Sequence, residues 1–135
     1  MGTSLAPASS PFIPCATRYD AMTEPHWQEQ LRRGTVELAV LLAVAPGRRY
    51  GLEIIRHLES AELVLTEGTI YPLLARLERE GLLRSEWVED ESPRSRKYYQ
   101  LTASGRTRMK KMAGEFRTIA DGMTRMIEIV LGEER

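Results

Sequence analysis

The sequence predicts a mainly α-helical fold with a small β-hairpin: a winged helix-turn-helix followed by a long C-terminal dimerisation helix. Three observations support this fold class. Three helical segments come first, two strand-like segments then flank a polar stretch, and an apolar repeat of alternating three and four residues runs along the C-terminal end. The chain of 135 residues, 42% of them hydrophobic, is long enough for one ordinary core.

The N-terminal segment, residues 1–25, contains four prolines and shows neither a helical nor a strand period. This composition is typical of a disordered or irregular arm. Met22 is a second candidate for the start of translation, because the periodic sequence begins just after it. We therefore expect residues 26–102 to form the winged helix-turn-helix and residues 103–135 to form the dimerisation helix.

The first helix is predicted from Trp27 to Ala45, a stretch that lacks proline. After Thr35 it becomes almost wholly apolar, and a helix that is apolar on all sides is buried on all sides. Its second half should therefore be central to the fold. The dipeptide Pro46-Gly47 ends it.

Two shorter helices follow and form the predicted helix-turn-helix. The segment from Gly51 to Glu59 carries its apolar residues on one side. The third helix begins between Thr66 and Thr69. Thr66 suits an N-cap, whereas Pro72 favours a later start because proline is best tolerated in the first helical turn, and both starts fit the sequence. Gly81 is a C-terminal stop signal.

The wing is predicted from two strand-like segments, Leu82–Val88 and Lys97–Leu101, which contain aromatic and β-branched residues. The residues between them, Glu89–Arg96, are polar, charged or proline. This arrangement predicts an antiparallel hairpin with a long tip.

The last helix is predicted from a Thr102 cap to about Leu131. Its apolar residues follow a heptad pattern over about three heptads, and such a pattern is typical of a coiled-coil seam. We expect the dimer interface to combine this seam with apolar residues of the first helix: Met109, Met112, Phe116, Ile119, Met123, Met126, Val130, Leu38, Leu41 and Leu42.

Charge and residue types exclude several classes of function. The 19 basic and 19 acidic residues cancel, and the single cysteine cannot form an internal disulfide. We expect no metal site and no cofactor, because there is no second thiol and no histidine cluster. No apolar run could span a membrane and no signal peptide is recognised, so we expect a cytoplasmic protein. His26 and His57 have no nucleophile at catalytic spacing, and we predict that the protein is not an enzyme.

A winged helix-turn-helix brings the N-terminal end of its recognition helix into the major groove of DNA. The predicted contacts near that end are Thr66, Gly68, Thr69 and Tyr71. Arg76 lies further along the helix, where a phosphate contact and an ion pair with Glu80 fit equally well.

A chain without net charge can still bind DNA if its basic residues are clustered, and two such clusters occur in this sequence. Arg94, Arg96 and Lys97 at the wing tip are expected to follow the phosphate backbone. Arg48, Arg49 and Tyr50 precede the second helix, where a phosphate site and a plain exposed turn are equally consistent with the sequence.

A winged-helix protein-interaction module that does not bind DNA is the alternative function. The zero net charge supports it, and so does the acidic run Glu89–Glu91 in the wing. The position of the recognition-helix residues and the basic wing tip favour DNA binding.

Five segments, in their order and spacing, resemble the PadR family of transcriptional regulators over about residues 30–130. They are Leu31–Thr35, Tyr50–Ile54, Thr66–Leu74, Leu77–Leu83 and Arg96–Gly105. The single C-terminal helix resembles the family's short subgroup. The resemblance implies a dimeric, sequence-specific DNA-binding repressor, whose DNA affinity falls when a small hydrophobic or aromatic effector binds. Two-fold symmetry of the dimer predicts an inverted-repeat operator in double-stranded DNA.

Four residues could line an effector pocket: Trp27, Met109, Met112 and Phe116. Methionine side chains adapt to ligands of varied shape. Met109, Met112 and Phe116 also suit a plain coiled-coil seam, which the heptad spacing favours.

Overall fold

The computed structural model of the chain describes residues 26–89 and 95–132. Five helices and three strands occur within these residues. The helices are α1 (His26–Arg33), α2 (Val36–Val44), α3 (Gly51–Glu59), α4 (Glu67–Arg79) and α5 (Ala103–Leu131). The strands are β1 (Arg49–Tyr50), β2 (Leu83–Glu89) and β3 (Ser95–Leu101). The predicted N-terminal arm and the center of the predicted wing tip, including Arg94, lie outside the described residues.

The segment predicted as one helix from Trp27 to Ala45 forms two helices, so this prediction is wrong. Gly34 and Thr35 make a turn between α1 and α2. Glycine costs roughly 1 kcal/mol relative to alanine inside a helix, and the apolar pattern changes at the same place. The chain divides into two compact units here, residues 1–34 and residues 35–135. Helix α1 belongs to the first unit, where the Trp27 and Leu31 side chains are exposed.

The core of the second unit forms around α2. Val40, Leu41, Ala43 and Val44 are almost completely buried, as the apolar second half of the predicted helix required. Complete burial of one such aliphatic side chain stabilises the fold by about 1.5–3 kcal/mol. The other core side chains come from α3, α4, the two long strands and the turn before β2: Ile54, Ile55, Leu58, Ile70, Leu74, Leu77, Leu82, Leu83, Tyr99 and Leu101.

Burial in this core corrects part of the predicted dimer interface. Leu41 has no exposed surface and Leu38 is 7% exposed, because both side chains pack inside their own protomer. A partner subunit cannot reach them while the fold is intact. Leu42, the third α2 residue predicted at the interface, is 46% exposed, so another chain could contact it.

The helix-turn-helix consists of α3 and α4. The backbone N–H of Tyr50 donates to Glu53 Oε1 at 3.1 Å, which helps to fix the start of α3. Helix α4 begins directly after Thr66, the earlier of the two predicted starts, and includes Pro72. Gly81 ends it with φ of 80°, a conformation that favours glycine. The N–H groups of Gly81 and Leu82 donate to the carbonyls of Glu78 and Leu77, which is the hydrogen-bond pattern of a Schellman motif.

The wing is a three-stranded antiparallel sheet in the order β1-β3-β2. The predicted hairpin is confirmed, with Leu83 paired to Leu101 and Glu89 paired to Ser95. The third strand, β1, was not predicted, because two residues are too few to show strand alternation. It pairs Arg49 with Tyr99 and Tyr50 with Tyr98, and it thereby ties the wing to the start of α3.

The last helix, α5, begins after the predicted cap. Thr102 Oγ1 accepts a hydrogen bond from the N–H of Gly105 at 2.9 Å and donates one to the carbonyl of Gly81 at 2.6 Å. One hydroxyl group thus joins the end of α4 to the start of α5. The first half of α5 packs on the core through Met109 and Met112, which are half-buried.

Candidate nucleic-acid interface

The N-terminal end of α4 lies at the surface. Thr66, Gly68 and Thr69 are all exposed. Thr66 takes the extended N-cap conformation, but its hydroxyl caps no backbone N–H and lies 3.4 Å from the Thr69 hydroxyl. The backbone N–H groups of the first helical turn have few partners within a helix, so they and these hydroxyls can donate to an anion.

Gly68 and Pro72 shape this end of the helix. Proline has no N–H, so Pro72 cannot donate to the carbonyl of Gly68 as a helical residue normally would. A Cβ atom added at Gly68 would contact only Thr66 Oγ1, at 3.7 Å. The surface above Gly68 is therefore open to an incoming backbone.

Tyr71 bridges the two helices of the helix-turn-helix. Its ring lies against Gly51, where an added Cβ atom would approach the ring atoms to 2.5 Å. Tyr71 is 39% exposed. Partial burial, together with the negative charge of Glu67, raises the pKa of its hydroxyl group, which therefore stays protonated at neutral pH and can donate a hydrogen bond.

A cleft of about 470 Å³ separates this end of α4 from the wing. Aromatic and basic side chains dominate its lining. The lining residues are Tyr50, Gly51, Leu52, Tyr71, Trp87, Ser95, Arg96, Lys97 and Tyr99. Residues far apart in sequence, Tyr71 of α4 and both Arg96 and Lys97 of β3, thus lie around one cleft.

Stacked aromatic and guanidinium groups cover the wing beside β1. The rings of Tyr50 and Tyr98 meet edge to face, with centroids 5.4 Å apart. The Arg96 guanidinium lies 4.4 Å from the Tyr50 ring, and that of Arg48 lies 4.9 Å from the Tyr98 ring. Such stacking restricts the side-chain conformations of both arginines while the guanidinium edges can still donate hydrogen bonds.

Other predicted contact residues already bind protein groups. Arg49 donates from Nε to the carbonyl of Ala43 at 2.6 Å, which holds β1 on the end of α2. The predicted pair between Arg76 and Glu80 is present at 3.0 Å. Arg48 pairs with Glu86 at 3.5 Å, and Lys97 pairs with Glu78 at 3.7 Å.

Five lining residues of the cleft were not among the predicted contacts: Gly51, Leu52, Trp87, Ser95 and Tyr99. Two of them carry large apolar side chains that are exposed. Trp87 is 68% exposed on β2, and Leu52 is exposed on the first turn of α3. The signal that could have identified them is a large apolar side chain at a position that faces outward in its element. That signal is weak, because exposed apolar residues are common on protein surfaces.

The second predicted surface is the apolar row of α5. Beyond Met112 its side chains leave the core, and Phe116, Ile119, Met123, Met126 and Val130 are all exposed. A row of this length usually marks an interface. Trp27, predicted to join Met109, Met112 and Phe116 around an effector, belongs to the other unit, so that combination stays a prediction.

Among the described residues, no group of three or more histidine, cysteine, aspartate or glutamate side chains could hold a metal ion. None of the described helices is both long enough and apolar enough to cross a membrane.

Comparison with known proteins gives consistent results. Residues 40–111 match the model of the transcriptional regulator PadR-like family. A PadR family regulator from Eggerthella lenta is 31% identical with a TM-score of 0.69, and the alignment covers 83% of this chain and 97% of that one. A PadR-like transcription factor from Bacteroides fragilis is 32% identical with a TM-score of 0.62, over 76% of this chain and 99% of the other. Transcriptional regulator Rv3488 of Mycobacterium tuberculosis is 34% identical over 77 residues, which are 57% of this chain and 71% of the relative.

Proposed function

This chain belongs to the PadR-like family of transcriptional regulators, and from that premise we propose that it is a homodimeric repressor that binds an inverted repeat. Members of the family are DNA-binding regulators and not enzymes.

The observation that carries the proposal is the convergence of Tyr71, Arg96 and Lys97 around the cleft beside the exposed end of α4. In the proposed complex this end of α4 enters the major groove, and the basic wing lies along the neighbouring phosphates. Thr66 and Thr69 donate hydrogen bonds to phosphate oxygens. The backbone at Gly68 approaches the DNA because no side chain intervenes.

The proposed partner subunit is a second copy of this chain, docked on the apolar row of α5. Two-fold symmetry then places two α4 helices in successive major grooves, about 10 base pairs apart. Binding within a promoter would exclude RNA polymerase from it, which is the simplest way in which a compact dimer represses transcription.

Footprinting tests this arrangement on duplexes selected from a random library with the wild-type dimer. We expect two protected half-sites in inverted orientation. The variant Gly68→Val should bind at least tenfold more weakly, because its side chain would hold the backbone away from the DNA. Its melting temperature should be unchanged, because that side chain projects into open space above the helix. Gly114→Val makes the same change on α5, where an added Cβ atom has no neighbour, and it should bind as wild type. A single asymmetric footprint, or normal binding by Gly68→Val, would contradict the proposal.

We also propose that a small hydrophobic or aromatic effector relieves repression by binding beside Met109, Met112 and Phe116. The flexible methionine side chains and the exposed Phe116 ring support this location. The apolar dye 8-anilinonaphthalene-1-sulfonate serves as the probe. Its fluorescence should rise on binding to wild type and rise much less with Phe116→Ala, and its addition should weaken DNA binding in gel shifts. Equal fluorescence with both proteins would place the effector elsewhere.

A further inference from the structure

One carboxylate, that of Glu37, holds two arginines that come from distant parts of the chain. Glu37 lies in the first turn of α2. Its Oε1 atom accepts a hydrogen bond from Arg76 Nη2 at 3.2 Å, and its Oε2 atom accepts one from Arg108 Nη1 at 3.1 Å. Arg76 lies on the recognition helix α4 and Arg108 on the first half of α5.

This bridge joins two helices that pack mainly on other elements. Helix α4 packs chiefly on α3 and β2, whereas α5 packs chiefly on α2 and β3. Glu37 therefore provides a direct polar link between the helix that contacts DNA and the helix that carries the apolar row. Arg76 is also held on its other side, because Nη1 donates to Glu80 Oε2 at 3.0 Å.

The exposure of these groups indicates an orienting role more than a stabilising one. The side chain of Glu37 is 20% exposed, and those of Arg76 and Arg108 are about twice as exposed. Ion pairs with this much access to solvent contribute little to the free energy of unfolding. Their geometry still matters, because a shared carboxylate with both oxygens occupied allows few relative positions of its two partners.

We propose that Glu37 is a positioning residue that fixes the recognition helix relative to the dimerisation helix and so determines which half-site spacing the dimer accepts. The inference rests on the proposed function, since it requires a dimer on an inverted repeat. Without the bridge, α4 can adopt a wider range of orientations on the core. Each orientation suits a slightly different spacing, so selectivity for spacing falls. Affinity for one isolated half-site is retained, because the residues at the tip of α4 are untouched.

The test compares wild type with Glu37→Gln, which keeps the shape of the side chain and removes its charge. Binding is measured on three selected duplexes: the optimal operator, the same operator with two base pairs inserted between its half-sites, and a single half-site. In wild type the insertion should weaken binding strongly. In Glu37→Gln the ratio of the two full-operator affinities should fall by about 2- to 30-fold, a range typical of mutations within coupling networks. Half-site affinity should change less than twofold.

Two further variants distinguish this role from a general effect of charge. Arg108→Gln removes the hydrogen bond between α5 and Glu37 and should reproduce the loss of spacing selectivity. If Glu37→Gln does not fold, Arg108→Gln provides the test in its place. Glu80→Gln removes the other negative partner of Arg76, at the C-cap of α4, and should leave the ratio unchanged. Melting temperatures of all variants are measured at equal protein concentration.

The outcomes separate this inference from the proposed function. An unchanged ratio in both Glu37→Gln and Arg108→Gln would overturn the inference and leave the repressor proposal intact. An equal loss of affinity on all three duplexes would also overturn it, because it would show a purely structural role. A wild-type protein that binds the half-site as tightly as the full operator would overturn both.

Discussion

At the scale of single residues, side-chain size decides how closely two helices approach each other. Gly51 is the first residue of α3, and the Tyr71 ring occupies the space where a side chain would be. This contact places the tyrosine hydroxyl beside Gly51, and both residues line the cleft. The arginines are also held by neighbouring groups. Arg49 and Arg76 donate to protein oxygens, and Arg96 stacks on the Tyr50 ring. Arg48 both stacks on the Tyr98 ring and pairs with Glu86.

The contact between Gly51 and Tyr71 gives the first prediction. In Gly51→Ala the tyrosine ring must move, and affinity for the selected operator should fall as the hydroxyl is displaced. Tyr71→Phe removes that hydroxyl alone and should cost about 0.5–1.5 kcal/mol of binding free energy.

A double-mutant cycle in urea unfolding tests whether Gly51 and Tyr71 compete for the same space. Gly51→Ala should lower the free energy of unfolding when Tyr71 is present and should be almost neutral in a Tyr71→Ala background. If Gly51→Ala lowers it equally in both backgrounds, the two residues do not compete for space.

At the scale of secondary-structure elements, the junction between wing and last helix determines where α5 starts. Thr102 caps the helix, and the N–H of Thr102 also donates to the Leu82 carbonyl at 3.2 Å. Gly105 is buried in the first turn, directly against that carbonyl oxygen. The backbone of the turn before β2 therefore packs directly on the helix, which only a residue without Cβ permits.

Two of the three glycines of α5, Gly105 and Gly114, should respond oppositely to substitution by alanine. Gly105→Ala places a methyl group into the Leu82 carbonyl, which is backbone and cannot swing aside, and should cost about 1–3 kcal/mol or more of unfolding free energy. Gly114→Ala adds a methyl group in open space within a helix and should stabilise by about 0.5–1 kcal/mol. Chemical unfolding at one protein concentration measures both. A stabilising Gly105→Ala would mean that α5 begins differently.

The wing should contribute charge more than base recognition, which a salt titration can detect. If Arg96 and Lys97 each contact one phosphate, Arg96→Gln and Lys97→Gln should each lower the slope of log affinity against log salt by roughly 0.9. Each should weaken binding to specific and unrelated duplexes alike. Lys110→Gln, on the exposed side of α5, is the matched control and should leave the slope unchanged. A wing that points away from DNA would give wild-type slopes in all three variants.

At the scale of the whole molecule, the apolar row of α5 and the exposed end of α4 belong to one compact unit, residues 35–135. Any docking on the apolar row therefore places a second α4 at a fixed distance from the first. Symmetry of the protein and symmetry of the operator are then consequences of a single interface.

The oligomeric state tests that interface. Ile119→Lys adds a charge in the middle of the row, where dimerisation would bury it without a partner, and should give a monomer by light scattering at micromolar concentration. Thr118→Lys adds the same charge one residue earlier, away from the row, and should remain a dimer. Met112→Lys is less informative, because Met112 also packs on the core of its own protomer. A dimeric Ile119→Lys would show that another surface joins the subunits.

The sequence by itself determined the elements with strong local signals. The C-terminal helix follows from its heptads and the Thr102 cap, the end of α4 from Gly81, and the hairpin from its aromatic strands and polar center. These signals are visible because capping, helical period and turn conformation depend on residues only a few positions apart.

Only the tertiary structure decided the rest. It placed Leu38 and Leu41 inside the core, added β1 to the wing, and brought Trp87 and Leu52 to the cleft beside Tyr71. It also paired Glu37 with Arg76 and Arg108, which are 39 and 71 positions away. The sequence pattern does not distinguish an apolar residue of the core from one at a subunit interface. It also does not show which distant residue a charged side chain will pair with. Both distinctions depend on which surfaces meet after the chain has folded.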